Sequence, residues 1–599
     1  MADRHVVVLA LSACAGAWFA AGPPRWLGFA LVALALLARR PLLLCAAVAV
    51  LASGLGAAAT DGLVAPAQGS FAGTLTLLSD PAPAGSGLRA YARMGSKHVE
   101  LLARDSAARA IADRLAGEQI DVRGKVQRLS PAASWLTRRH IIGRVIIDEV
   151  DGWRPGGMLS RFANSVHRAL AGGAEALPAA QRPLFLGIVL GDDRNQPPEV
   201  TDDFRGAGLS HLLAVSGQNV AFVLALAGPL LRRLRLGGRL VVTLSVIGGF
   251  ALITRFEPSV LRASAMAAVA AVALAWGREA TSRRALALAV ALLVLVDPFL
   301  VSSVGFQLSV AASAGILWLG PRLSAVIPGP RPLADAMAVT LAAQAAVAPL
   351  LVSTFGGLPL ASVPANLLAV PAAGPVMMWG LGAGIPAGVL GGRWATVLHF
   401  PTRVLVGWVA GVAHWGAGLP LGELGARELA VLAVGIGLLL VARRWRVHWL
   451  LGPAVAIVVV AVMAPPLALR SDPSPMTSPA AGLTLWRAGS SAALALDGRA
   501  YAPAGTLEAL RRAGLRRLDV LVVLSTGAAA RDVAAAIIGR YEPRLVVARP
   551  SVLPTDLGNL VVARQPLELR VGSLTLAITP REGRLTVEEV AAGARGPPV

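Results

Sequence analysis

The residues of this chain that could do chemistry are polar groups set inside apolar runs. In LFLGIVLGDDRNQPPEVTDDFRGAGLSHLLAVSGQNVAFVLAL (184–226), His211, Ser216, Gln218 and Asn219 enter what otherwise reads as a spanning helix. Burying such groups in lipid costs free energy, so they face protein, water or a polar passenger. Gly217 in the same stretch permits close helix approach or a local break. In RFEPSVLRASAMAAVAAVALAWGRE (255–279), Arg262 falls within a span. At the bilayer centre an arginine costs about 2.5–3.5 kcal/mol, so it either snorkels to an edge or faces an anion along an aqueous path. Glu257, five residues away, is poorly spaced to pair with it on one helix. Gln307 and Ser309 enter the run 297–316, Gln344 enters 340–356, and Asn366 lies between Pro364 and Pro371. Interhelical hydrogen bonding without any transport role is the competing reading for the groups between His211 and Asn219.

Prolines and glycines at these depths imply broken or re-entrant helices, which are tolerated beside protein or a cavity. Acids are nearly absent from the spans, and the main candidate, Asp297, precedes Pro298 in a pair that suggests a helix end. A cation-coupled transporter usually needs an intramembrane carboxylate. A passage for an anionic or polar polymer fits this inventory better.

Bulk composition points the same way. The 599 residues have a mean hydropathy of +0.65 and only 15% charged residues, too few to cover a soluble surface. The formal charge of +21 would suit nucleic acid, but Lys97 and Lys125 are the only lysines. Arginine-rich composition and the positive-inside rule account for much of the excess. The two cysteines, Cys14 and Cys45, sit in apolar runs and support neither a disulfide framework nor a metal site. The apolar run 6–21 reads as a retained membrane segment, because further hydrophobic stretches follow at 26–38 and 41–59.

Later spans are expected near 211–231, 240–254, 259–276, 285–302, 304–320, 335–352, 361–380, 396–416, 429–442 and 447–465, about thirteen in all. With the N-terminus inside, Arg39/Arg40, the 232–239 cluster, Arg278/Arg283/Arg284 and Arg443/Arg444/Arg446 all fall in the cytoplasm. Both polar domains then fall outside. Residues 70–150 read as short strands with partial alternation. In DVRGKVQR one face carries Val122, Gly124 and Val126, the other Arg123, Lys125 and Gln127, giving a small barrel with a basic outer face able to follow phosphates. A merely solvated strand face is the alternative. The tail alternates β and α patterns and reads as a layered α/β domain after the loop RSDPSPMTSP. The divisions are 1–60, 61–180, 181–466, a linker at 467–480, and 481–599.

The pieces GDDR…FRGAGLSHLLAVSGQNV, EPSVLRASAM, DPFLVSSVGFQLSVAASAGI, QAAVAPLLVSTFG and PANLLAVP, in that order over roughly 183–380, closely resemble the ComEC family of competence DNA-uptake channels. The resemblance implies a polytopic α-helical membrane protein with an N-terminal extracytoplasmic OB-like β domain and a C-terminal degenerate metallo-β-lactamase-like α/β domain. It implies an inner-membrane channel for single-stranded DNA in natural transformation, with an extracytoplasmic DNA receptor and a cytoplasmic DNA motor as partners in some organisms. The segment His211–Asn219 and Arg262 match the family's central motifs. Gln218-Asn219 departs from many relatives, which carry an apolar residue followed by histidine there.

The tail departs further. Nuclease-bearing relatives carry an HxHxDH motif after a buried strand ending in Ser, whereas here Ser525 is followed by Thr526, Ala528 and Ala530 at the ligand positions. No histidine follows His448, and Asp532 alone cannot hold a metal. The expectation is therefore a channel without catalytic activity, metal or cofactor. The alternatives are a transporter of a smaller polar or anionic solute, or a family member repurposed outside DNA uptake.

Overall fold

The computed structural model describes residues 3–85, 87–278, 281–468, 476–489, 491–498, 502–550, 552–553, 558–572, 574–581 and 584–589. Two compact units emerge, each built from distant pieces of chain. The first holds Met1–Asn195, His211–Gly356 and Asn366–Val409, and the second Gln196–Ser210, Gly357–Ala365 and Ala410–Val599. These units cut across the sequence-order divisions, because the helix Pro198–Gly206 packs with the tail and Leu358–Pro359 pairs with Glu423–Leu424.

In the first unit, the helices Asp3–Phe19, Arg25–Leu37 and Pro41–Asp61 pack on one another through small residues. At Gly16 a Cβ would lie 2.1 Å from the Ala49 carbonyl oxygen, so only glycine permits that approach. The same cluster takes in Leu286, Val290 and Phe306 from later helices.

Residues 69–154 close into a ring of five strands. Gly69–Leu77 pairs antiparallel with Gly87–Met94, and that strand with Lys97–Arg104. Lys97–Arg104 runs parallel to Ile141–Arg154, which pairs antiparallel with Gln119–Gln127, and Gln119–Gln127 returns to Gly69–Leu77. The helix Asp105–Ile111 links the third and fourth strands in sequence. Closure leaves no long open edge, and Leu75, Ala92, Leu101, Ile120, Val122 and Val145 fill the interior. The expected alternation holds: Val122, Gly124 and Val126 are buried, and Arg123, Lys125 and Gln127 are exposed.

A helix stands at each position where the sequence placed a span, but the count differs. Among the described residues, six helices are long and apolar enough to cross a membrane: Pro41–Asp61, Leu236–Ile253, Pro258–Ala275, Arg331–Phe355, Ser362–Leu390 and His448–Leu467. The pair Gly392–Leu398 and Phe400–Gly418, bent by 52°, makes a seventh if it is one span. The remaining expected spans are mostly shorter, at 13–17 residues, so about thirteen full spans are not found among the described residues. Breaks also fall elsewhere than expected. Helices run through Pro349, Pro371, Pro375 and Pro386, and the sharp bend comes at His399. Neighbouring helices can cover the carbonyl that a proline frees, so proline alone does not set a break.

In the second unit, parallel strands Ser491–Leu496, Val520–Val523, Leu545–Ala548 and Leu560–Val562 continue into antiparallel Leu483–Ala488 and Met476–Thr477. Helices Pro503–Arg512 and Ala528–Tyr541 cover one face through Leu507, Leu510, Val533 and Ile537. A three-stranded antiparallel sheet from 567 to 589 covers the other, setting Leu576 and Ile578 against Val522 and Val547. Burial on both faces explains the unbroken VLVV run. Within the expected linker 467–480, residues 469–475 lie outside the described residues, and Met476–Thr477 is an edge strand because its main chain pairs with Leu485 and Trp486.

Candidate functional site

Around Arg262 the structure joins three sequence motifs. The expected span 211–231 is corrected: His211 is exposed on the 3₁₀ turn Ser210–Leu212, and the helix begins only at Gly217. Ser216 is the reason. Its extended backbone (φ −93°, ψ 160°) makes it the N-cap, and its hydroxyl donates to Asn219 Oδ1 at 3.1 Å. Asn219, 7% exposed, in turn donates Nδ2 to the Ile188 carbonyl at 3.3 Å. Main-chain N–H groups at the start of such a helix lack intrahelical acceptors and carry the positive end of its dipole.

The guanidinium of Arg262 lies against that helix start. A Cβ on Gly217 would sit 2.4 Å from Arg262 Nη2 and 3.0 Å from the Ala263 Cβ. Arg262 is 8% exposed, donates Nε to Ser309 Oγ at 2.7 Å, and places Nη1 3.1 Å from Met266 Sδ. Among the described residues it forms no ion pair and Nη2 makes no hydrogen bond. The helix that bears it packs against Gly217–Leu231, Leu236–Ile253, Ser282–Val296 and Val304–Trp318, so the charge sits among helices instead of at an outer edge. Snorkelling is thereby set aside. An almost dry guanidinium facing a helix N-terminus is an arrangement chemically suited to an anion.

The other expected pathway residues are not all gathered here. Gln307 donates Nε2 to the Val301 carbonyl at 2.8 Å and so ties down the turn before its own helix. Gln344 is half-buried on Arg331–Phe355, Asn366 is buried on Ser362–Leu390, and Gln218 is exposed. Arg262 and Asn219 are packed against protein in this conformation, not set around an open wet passage. Ser309 is the pathway candidate that sequence reasoning underused. Its signal was its place two residues after Gln307 in an apolar helix.

On the barrel, the expected basic face is corrected. Arg123 grips Asp151 (Nη2–Oδ1 2.6 Å) and Glu149 (3.0 Å), and Arg154 pairs with Asp121 at 2.9 Å. Hydrogen bonding from Arg123 holds the Asp151 carboxyl below the usual range, and hydrogen bonds from Thr74 and Arg154 do the same for Asp121. Glu149 and Asp151 come from the neighbouring strand Ile141–Arg154 and Asp121 from the same strand as Arg123, so the face around Lys125 is mixed in sign.

Arg255 and Phe256 both take left-handed backbones in the tight turn before Pro258. Arg255 donates to Asp80 Oδ1 (3.1 Å) and Asn164 Oδ1 (2.8 Å), while buried Glu118 pairs with Arg168. These bonds fasten the barrel and the helix Met158–Ala174 to the hairpin that carries Arg262.

In the tail, Ser525 accepts from the Gly527 N–H at 3.4 Å and Asp532 is exposed. Among the described residues no group of three or more His, Cys, Asp or Glu side chains could hold a metal. Sequence reasoning missed a buried ionic cluster in this unit. Asp202, 2% exposed, meets Arg511 Nε at 3.1 Å and Arg540 Nε at 3.5 Å, and Arg511 also pairs closely with Glu423. Partners 309 residues apart leave no local signal.

Comparison with known proteins gives these observations a context. Residues 188–492 match the profile of the family described as Competence protein. The chain is 29% identical over 406 residues to Competence protein ComA of Neisseria gonorrhoeae, covering 63% of this chain and 55% of that protein. It is 30% identical over 201 residues to ComE operon protein 3 of Bacillus subtilis (33% of this chain, 25% of that protein). It is 28% identical over 201 residues to the uncharacterized protein YcaI of Escherichia coli (31% and 27%). The matches thus span about a quarter to just over half of those proteins' own lengths. No solved structure matches the chain.

Proposed function

The chain belongs to the Competence protein family, and on that premise we propose that it conducts single-stranded DNA across the cytoplasmic membrane during natural transformation. The observation that carries this reading is Arg262: a buried guanidinium that meets no carboxylate among the described residues, set against the helix start at Gly217 and bonded to Ser309. A DNA phosphate supplies the missing negative charge and accepts from both a guanidinium fork and helix N–H groups. The described conformation is closed around Arg262, so the helices Gly217–Leu231 and Val304–Trp318 must part for a strand to pass.

The five-stranded ring supports an OB-like reading of the barrel, with the third and fifth strands parallel and a helix between the third and fourth. Its attachment to the turn at Arg255 agrees with an outer location under the arginine-cluster orientation. The layered tail supports a metallo-β-lactamase-like reading, and Thr526, Ala528 and Ala530 at the positions of the missing ligands are the reason to read it as without a metal site or catalytic activity. An outer DNA receptor and a cytoplasmic motor are the partners this function calls for.

Entry of labelled DNA into the cytoplasm, measured in a competent host with and without the gene, tests the proposal. Normal transformation in the deletion strain would remove it. In the complemented strain, Asn219→Ala should lower entry and Asp532→Ala should leave it unchanged. Gly217→Ala should push the guanidinium off Ser309, and the loss of one charge-assisted hydrogen bond lowers entry roughly tenfold. Wild-type entry with Gly217→Ala would show that the contact is not needed.

A further inference from the structure

On the barrel's strand face Arg123 and Arg154 are neutralised by neighbouring acids, whereas a loop of the same barrel gathers arginines with an exposed tryptophan. Between its last two strands, the 3₁₀ segment Pro131–Arg139 presents Trp135, 49% exposed, with the Arg139 guanidinium 5.4 Å from the ring centroid. Arg128, Arg138 and Arg139 are all exposed, and among the described residues none forms an ion pair. No acid occurs between Gln127 and Arg144. The segment is anchored at its C-terminal end. Leu136 is 1% exposed, and His140 closes the turn in a left-handed conformation (φ 61°).

Its placement is as informative as its composition. His140 Nε2 lies 3.2 Å from Asp297 Oδ1, and its ring is 4.8 Å from Phe299, so the loop is pinned on the turn between Ser282–Val296 and Val304–Trp318. Arg139 also acts electrostatically on Glu257, the residue that opens the Arg262 helix. That helix packs against four others and has Glu257 as its N-cap, so the loop lies beside the start of the helix that carries Arg262. A tryptophan held at the bundle's lipid rim would be an interfacial anchor. One held beside the start of the Arg262 helix, in a loop with three arginines that form no ion pair among the described residues, has the make-up of a stacking platform for an unpaired base with phosphates alongside.

We propose that Trp135, with Arg128, Arg138 and Arg139, is the receiving site for single-stranded nucleic acid, stacking one base and neutralising its flanking phosphates beside the start of the Arg262 helix. The site rests on the DNA-channel reading but fails separately from it. Loss of DNA entry in Arg262 variants tests the channel, while oligonucleotide binding by the full-length protein tests the loop.

The experiment measures binding of a fluorescent oligothymidylate to the purified full chain in lipid nanodiscs as a function of salt. Trp135→Ala should weaken binding roughly 5- to 100-fold, the loss of one base–aromatic stack, and Trp135→Phe should restore most of it. Arg138→Ala/Arg139→Ala should reduce the salt slope by about 1.4, two single-strand phosphate contacts. Unchanged affinity in Trp135→Ala, or a loss carried instead by Arg123→Ala/Lys125→Ala, overturns the proposal. So does quenching of the Trp135 emission by brominated lipid (taken as wild type minus Trp135→Phe) with no response to oligonucleotide, which would assign the loop to the lipid surface.

Discussion

Arg262→Ala is expected to lower DNA entry at least about a hundredfold while the protein accumulates normally and unfolds at the same or a higher temperature. The two halves of this result have one cause. A guanidinium at membrane depth costs about 2.5–3.5 kcal/mol on insertion scales, and Ser309 and Met266 return only part of that. Alanine removes the cost together with the charge, so the fold should not suffer. A passing phosphate, in contrast, loses a charged fork whose hydrogen bonds are worth about 1.5–3 kcal/mol each, and two of them give the hundredfold. Arg262→Lys keeps the charge but not the planar fork, and should fall between the two. DNA entry and thermal unfolding of the same variants decide the matter. If entry falls only in step with abundance and melting temperature, Arg262 is a packing residue and the anion site is lost with it.

The features that sequence carried well were those set by local periodicity. Apolar runs marked the helices, alternation in DVRGKVQR sorted Val122 and Val126 from Arg123 and Lys125, and the Asp297-Pro298 pair marked a helix end. Asp297 does cap the following turn, accepting from the Phe299 N–H at 3.0 Å. What sequence could not carry was the identity of partners. Arg262 was legible as an oddity, and the poor spacing to Glu257 correctly discouraged a local pair, but Ser309 is 47 residues away. Arg123 looked free because its neutralising acids, Glu149 and Asp151, lie on another strand. The helix start at Gly217 was blurred because the residues before it, HLLAVS, are apolar enough to extend the span. Helix length was overcounted for a related reason: hydropathy registers apolar runs, whereas crossing a membrane needs roughly 20 residues of unbroken helix.

Arg511→Ala should destabilise the second compact unit by about 3 kcal/mol, the low end for leaving a buried charge without its partner. Asp202 is 2% exposed and divides its oxygens between Arg511 (3.1 Å) and Arg540 (3.5 Å). Burial alone would lower the Arg511 pKa, but Glu423 and Asp202 outweigh it and hold it raised, so this arginine is charged at every working pH. Its loss leaves Glu423, among the described residues, with the looser contact from Arg512 at 4.0 Å. The Arg540–Asp203 pair, at 2.9 Å, remains and limits the damage. A shift of 3 kcal/mol raises the population of the opened tail roughly a hundredfold, which limited proteolysis reads directly when opening is fast relative to cleavage. The ionic origin of the effect has its own signature. Asp202→Asn combined with Arg511→Met removes the charge with its partner, so the double variant should resist protease better than Arg511→Ala alone. If the double variant is cleaved as fast or faster, the cluster acts through shape rather than charge. Ionic fastening of the helix Pro198–Gly206 to the tail would then have to be abandoned.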